Sequence, residues 1–152
     1  MTVSTARPKQ FTFPLSVEWL GGRRVVALVQ DKDEVAVAPP VVFRGTDPHA
    51  WSPEDLFVAS AASCLAVTFT GLAERNDLQL ASLHVGGEGV VGTREDGHFG
   101  FTALHLTMRV VVAPTEVETA QLLAEQAESN CLVSTSMALP VTVAIDVRGG
   151  SD

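Results

Sequence analysis

Between Phe11 and Ala38 the apolar residues come in short bursts, broken at Gly21-Gly22 and at Asp31-Lys32-Asp33. This punctuation predicts two or three β-strands joined by tight turns. Residues 39–51 carry Pro39, Pro40, Gly45 and Pro48 without periodicity and read as a loop. Ser52 then offers an N-cap, Pro53 a first helical position, and Glu54 and Asp55 acids for the positive end of a helix dipole. A helix from about residue 53 to about residue 75 follows. Leu78 to Val91 is glycine-rich at Gly86, Gly87 and Gly89 and leads into a turn through residues 94–97, a hairpin with an irregular first arm. In the second arm Leu104, Leu106, Met108, Val110 and Val112 share one face, and His105, Thr107 and Arg109 the other. Pro114-Thr115 opens a second helix in which Thr115 and Glu118 have capping-box spacing. Val117, Ala120, Ala124, Ala127 and Cys131 form its stripe. A closing period-two strand turns Val141, Val143, Ile145 and Val147 inward.

Strands, long helix, strands, helix and strand in that order predict an α+β domain with antiparallel sheet and helices packed on one face. Residues 1–10 read as a flexible start and 11–152 as a single domain, in keeping with a length of 152 residues. Hydrophobic residues at 46% exclude disorder for most of the chain. A formal charge of −8 is the wrong sign for a phosphate backbone or an anionic lipid surface, so neither nucleic acid nor membrane is an expected partner. The N-terminal residues lack the uninterrupted apolar stretch of a secretory signal, and a cytoplasmic location is expected.

The long helix tests the membrane question. Leu56 to Ala73 are 18 positions without a charge, the lower limit for a span. The stretch is nevertheless rich in Ala, Ser and Thr, has acids at both ends and lies between strands of soluble character, which favours a core helix. A helix apolar on every side needs cover on every side. A small domain rarely wraps six turns completely, so a second subunit is expected to cover part of it.

Chemistry narrows to two cysteines, Cys64 and Cys131, which occur outside any compact zinc-ligand spacing. His84, His98 and His105 are too dispersed to make a metal set with Cys131 and read as surface histidines. No nucleotide loop or metalloprotease motif occurs to indicate a nucleotide or metalloprotease site. Trp19 and Trp51 fit either an apolar entrance or ordinary packing, and Phe57, Phe69 and Met137 fit core positions.

The segment SPEDLFVASAASC ending at Cys64, with AEQAESNC ending at Cys131 and followed by LVS, resembles the OsmC/Ohr family of osmotically inducible and organic hydroperoxide resistance proteins. The likeness runs from about Leu20 to Val147, and Gly21-Gly22-Arg23 resembles the family's early arginine motif. It implies an OsmC-like fold in an intertwined homodimer, with antiparallel sheets packed on a long central apolar helix and a second helix. It also implies a thiol peroxidase acting on organic hydroperoxides. Cys64 would attack, Cys131 would resolve the sulfenic acid as a disulfide, and a dithiol such as a lipoylated protein would reduce the pair. An arginine would hold the thiolate and a peroxide oxygen, with Arg23 first by alignment, then Arg24 and Arg44. Glu54 would orient that arginine by a bidentate pair. Leu132 stands where the hydroperoxide resistance branch typically has proline, and Leu65 where it commonly has an aromatic residue, which suggests the broader OsmC side of the family.

Glu54 and Cys64 are ten residues apart, about 15 Å along a straight helix and pointing in different directions. They cannot share an arginine within one helix. Either the helix is interrupted, or the glutamate serving a given cysteine comes from another subunit; the second option predicts paired sites at a homodimer interface. A noncatalytic ligand-binding or redox-sensing homodimer using the same interface pocket is the alternative reading.

Overall fold

The computed structural model describes residues 9–150, so most of the flexible start expected over 1–10 lies outside the described residues. The chain divides into two compact units, the first ending at Pro53 and the second beginning at Glu54.

The first unit is a three-stranded antiparallel sheet of β1 (Ser16–Gly21), β2 (Arg24–Leu28) and β3 (Val35–Val37), in that spatial order. Gly21 and Gly22, at φ of 106° and 57°, make the β1–β2 turn in backbone conformations that residues with a Cβ rarely adopt. Arg23 lies in this turn and Arg24 opens β2, so the two arginines belong to different elements. The expected loop contains a short 3-10 turn, Val41–Phe43, and returns to the sheet through a bridge between Val37 and Trp51.

α1 (Pro53–Arg75), continuous over 23 residues, contributes all but its first residue to the second unit. It buries Ala61, Leu65, Phe69 and Leu72, a stripe at spacings of four, four and three. α1 is long and apolar enough to cross a membrane by composition, yet this stripe packs it into the core of an α+β fold. Its exposed face is less apolar than the absence of charge implies. Ser60, Ser63 and Thr70 return their hydroxyls to helix carbonyls, while Val67, 66% exposed, is the large apolar residue among them.

The long hairpin of β4 (Leu80–Thr93) and β5 (Phe99–Val112) carries irregularities between Leu80 and Ser82 and between Val90 and Val91, matching the irregular first arm. All five expected inward residues of β5, Leu104 to Val112, are buried. They meet α1 and the buried face of α2 (Val117–Asn130) in one cluster. β6 (Val141–Gly149) pairs with β5 in parallel, which makes this sheet mixed. The physical reason is the connection: the chain leaves β5, crosses back through α2 and returns in its original direction, which a hairpin cannot do.

The expected capping box does not form. Pro114–Glu116 is a separate 3-10 turn, α2 begins at Val117 with Glu116 as its cap, and no side chain bonds that cap.

Glycines on β4 set how closely α1 approaches. A Cβ at Gly89 would stand 2.6 Å from the Phe101 ring and 2.9 Å from a Val58 methyl, inside van der Waals contact. Gly89→Ala is therefore expected to destabilise the protein by about 1–3 kcal/mol, read as a lower urea midpoint. An unchanged midpoint would show that α1 shifts freely at this position.

Candidate active site

Three stretches of the second unit converge on Cys64. α1 carries Cys64 in its middle, partly exposed, with Thr68 one turn on. At the end of α2 the backbone turns extended at Cys131, with φ −64° and ψ 107°, and one further helical turn, α3 (Leu132–Thr135), follows. This brings the 1%-exposed Cys131 to the sulfur of Cys64 and aims two backbone N–H groups at it. Both cysteines are free thiols.

The electrostatics follow from these neighbours. Burial alone would push the Cys64 thiol up, because a thiolate loses hydration there. The backbone N–H of Val133, the Cys131 side chain, the Thr68 hydroxyl and the backbone N–H of Leu132 outweigh it and bring Cys64 below the ordinary thiol range. Hydrogen bonds to the charged form thus win over desolvation. The result is a partly exposed, activated thiol beside a buried second thiol, the pairing from which a sulfenic acid can go on to a disulfide.

The remaining sequence candidates belong to other elements. Glu54 begins α1, and the helix runs unbroken from it to Cys64. The interruption considered from sequence does not occur. Glu54 Oε2 is buried with no hydrogen-bond partner among the described residues. In the first unit, Arg23 donates from Nη1 to the carbonyls of Phe43 and Arg44, each at 3.2 Å. Arg24 pairs with Asp47 at 3.3 Å. Arg44 has a φ of 64° and caps the 3-10 turn. The three arginines therefore differ in role: one braced by carbonyls, one in an exposed ion pair, one a turn cap.

Trp19 is 74% exposed and donates its indole N–H to Gly22, so it is not core. Phe69 is fully buried. Phe57 instead stacks on Phe101 with centroids 4.3 Å apart, at the edge of an open cleft of about 800 Å³ that also touches Arg94, Thr102, Leu139 and Pro140. Sequence reasoning missed Thr68 and the α3 N–H groups. Thr68 had a legible signal, its i+4 spacing from Cys64; the α3 groups had none, because they depend on an extended residue between two helices.

The OsmC-like protein family matches residues 45–146, two thirds of the chain. The protein belongs to the OsmC-like family. Among curated relatives, the uncharacterized protein YmaD of Bacillus subtilis strain 168 is 25% identical over 127 residues, 80% of this chain and 83% of YmaD. Among solved structures, an OsmC-like protein of unknown function from Vibrio cholerae superposes with a TM-score of 0.82 at 18% identity, over 90% of this chain and 99% of its own. An organic hydroperoxide resistance protein from Elizabethkingia anophelis superposes with a TM-score of 0.70 at 23% identity, over 94% and 99%. At these identities the two structures establish the OsmC fold. Both cysteines of this OsmC-like chain lie inside the matched segment, as does Glu54, while Arg23 and Arg24 precede it.

Proposed function

We propose that this OsmC-like protein is a thiol peroxidase that reduces organic hydroperoxides to alcohols. One observation carries the reading: a thiol activated by hydrogen bonds faces a second, buried thiol. In the reaction the Cys64 thiolate attacks the distal peroxide oxygen, the O–O bond breaks, and the alkoxide leaves as alcohol after taking a proton. Cys64 becomes a sulfenic acid. The Cys131 thiol then displaces water to form the Cys64–Cys131 disulfide, and an external dithiol, for which a lipoylated protein is the family expectation, returns two electrons. The two sulfurs carry the electrons, so the cycle uses no metal or organic cofactor.

Arg23 is the arginine proposed to hold the peroxide and thiolate. Its Nη1 donates to two carbonyls, and a guanidinium carries further N–H donors that can serve other acceptors. Glu54 is proposed to pair with that arginine, which the unpartnered Oε2 supports. The continuity of α1 supports a glutamate that serves a given Cys64 from the other copy of a homodimer. A cytoplasmic setting keeps both thiols reduced between turnovers.

Mass spectrometry of the fully reduced protein after one equivalent of cumene hydroperoxide tests the cycle. The expected result is a loss of about two mass units and of both free thiols, faster than with hydrogen peroxide. Survival of both thiols would remove the peroxidase reading. A fully active monomer in ultracentrifugation would remove the shared-site arrangement.

A further inference from the structure

The hydroxyl groups of α1 do not all behave alike. Ser60 donates to the Phe57 carbonyl at 2.7 Å, Ser63 to the Ala59 carbonyl at 2.6 Å, and Thr70 to the Val67 carbonyl at 3.1 Å. Return of a hydroxyl to a carbonyl three or four residues back is the ordinary resting place for serine and threonine within a helix. Thr68 departs from it. Its Oγ1 is directed at the Cys64 sulfur, 4.0 Å away, and has no carbonyl partner among the described residues. The side chain is part-buried, so the hydroxyl faces the sulfur with reduced competition from water.

We propose that Thr68 is a positioning residue for the Cys64 nucleophile: its hydroxyl donates a hydrogen bond to the sulfur and holds the thiolate ready for attack. This deepens the peroxidase reading and rests on it for the word nucleophile. The geometry suits the task. A spacing of four residues stacks the two side chains on one face of α1, and the helix is continuous through both, so the backbone keeps them adjacent. The 4.0 Å distance is long for a hydroxyl on sulfur, and a neutral thiol attracts it weakly. A negative sulfur draws the O–H in, as charged acceptors shorten hydrogen bonds. Thr68 then acts from α1 itself, while the Leu132 and Val133 N–H groups and the Cys131 side chain act from the junction of α2 with α3. Cys131 is the titratable neighbour among these groups.

The measurement is the pH profile of Cys64 alkylation by iodoacetamide in the fully reduced full-length protein, with the modified peptide quantified by mass spectrometry. Thr68→Val keeps the shape and removes the donor. Its alkylation midpoint is expected to rise by about one pH unit, the size of one hydrogen bond to a charged group spread over a part-exposed site. Thr68→Ser, which keeps the donor, is expected to follow the parent profile. Thr68→Ala, free of any branched side chain, is expected to follow Thr68→Val. Coincident Thr68→Val and parent profiles overturn the proposal. A Thr68→Ser profile displaced as far as that of Thr68→Val also overturns it, because the methyl group would then be the active feature. Alkylation uses no hydroperoxide, so this outcome is read independently of whether the protein turns over cumene hydroperoxide.

Discussion

Cys64→Ser is expected to lower cumene hydroperoxide turnover by on the order of 10³-fold or more, to the uncatalysed background. The hydroxyl of serine stays protonated near neutral pH, whereas the donors gathered at this position lower the pKa of the thiol. Cys131→Ser is expected to behave differently. Its Cys64 still attacks, so it consumes one equivalent of hydroperoxide and stops at a sulfenic acid that dimedone traps. Steady-state assays with a dithiol donor, followed by mass spectrometry of the dimedone adduct, separate the two. Equal multiple-turnover rates for Cys131→Ser and the parent would remove Cys131 from the cycle. Retained turnover in Cys64→Ser would move the chemistry to another residue.

Phe69→Ala is expected to carry the largest stability cost of a single truncation, about 3–5 kcal/mol. Phe69 is fully buried on the inner stripe of α1, in the same cluster as Leu106 and Met108 of β5. Removing its ring deletes apolar burial and leaves a cavity that a close-packed sheet and helix cannot collapse. Val67 lies two residues away on the same helix and is 66% exposed. Val67→Ala is expected to change stability by less than about 0.5 kcal/mol. Urea unfolding of both variants at equal protein concentration checks the contrast. A Phe69→Ala midpoint close to that of Val67→Ala would mean that α1 is not packed through this stripe.

Much of this protein was legible as pattern. The five alternating residues of β5 announced a strand with one buried face, and burial followed that alternation residue by residue. Ser52 to Asp55 announced the start of α1 because proline and acids suit the first helical turn for local reasons. The capping spacing at Thr115 and Glu118 misled, since Pro114 tightens its turn into a separate 3-10 segment before α2 begins. The parallel partnership of β6 with β5 was equally hidden, because alternation along a strand records which side faces the core and not which neighbour it joins.

The candidate site divides along the same line. By itself the sequence determined the two cysteines, the glutamate at the start of the helix and the arginines after the paired glycines, because residue identity and near-neighbour spacing are properties of the chain. It also determined that Glu54 and Cys64 cannot meet on one straight helix, since the rise per residue is a constant. Only the tertiary structure decided that the helix is unbroken, that Cys131 comes to Cys64 across 66 intervening residues, and that two N–H groups of α3 arrive with it. It alone decided that Arg23 is braced by the Phe43 and Arg44 carbonyls while Arg24 is drawn to Asp47. The reason is physical: a thiol is activated by donors summed at one point in space, and those donors come from segments whose meeting depends on the packing of the whole core.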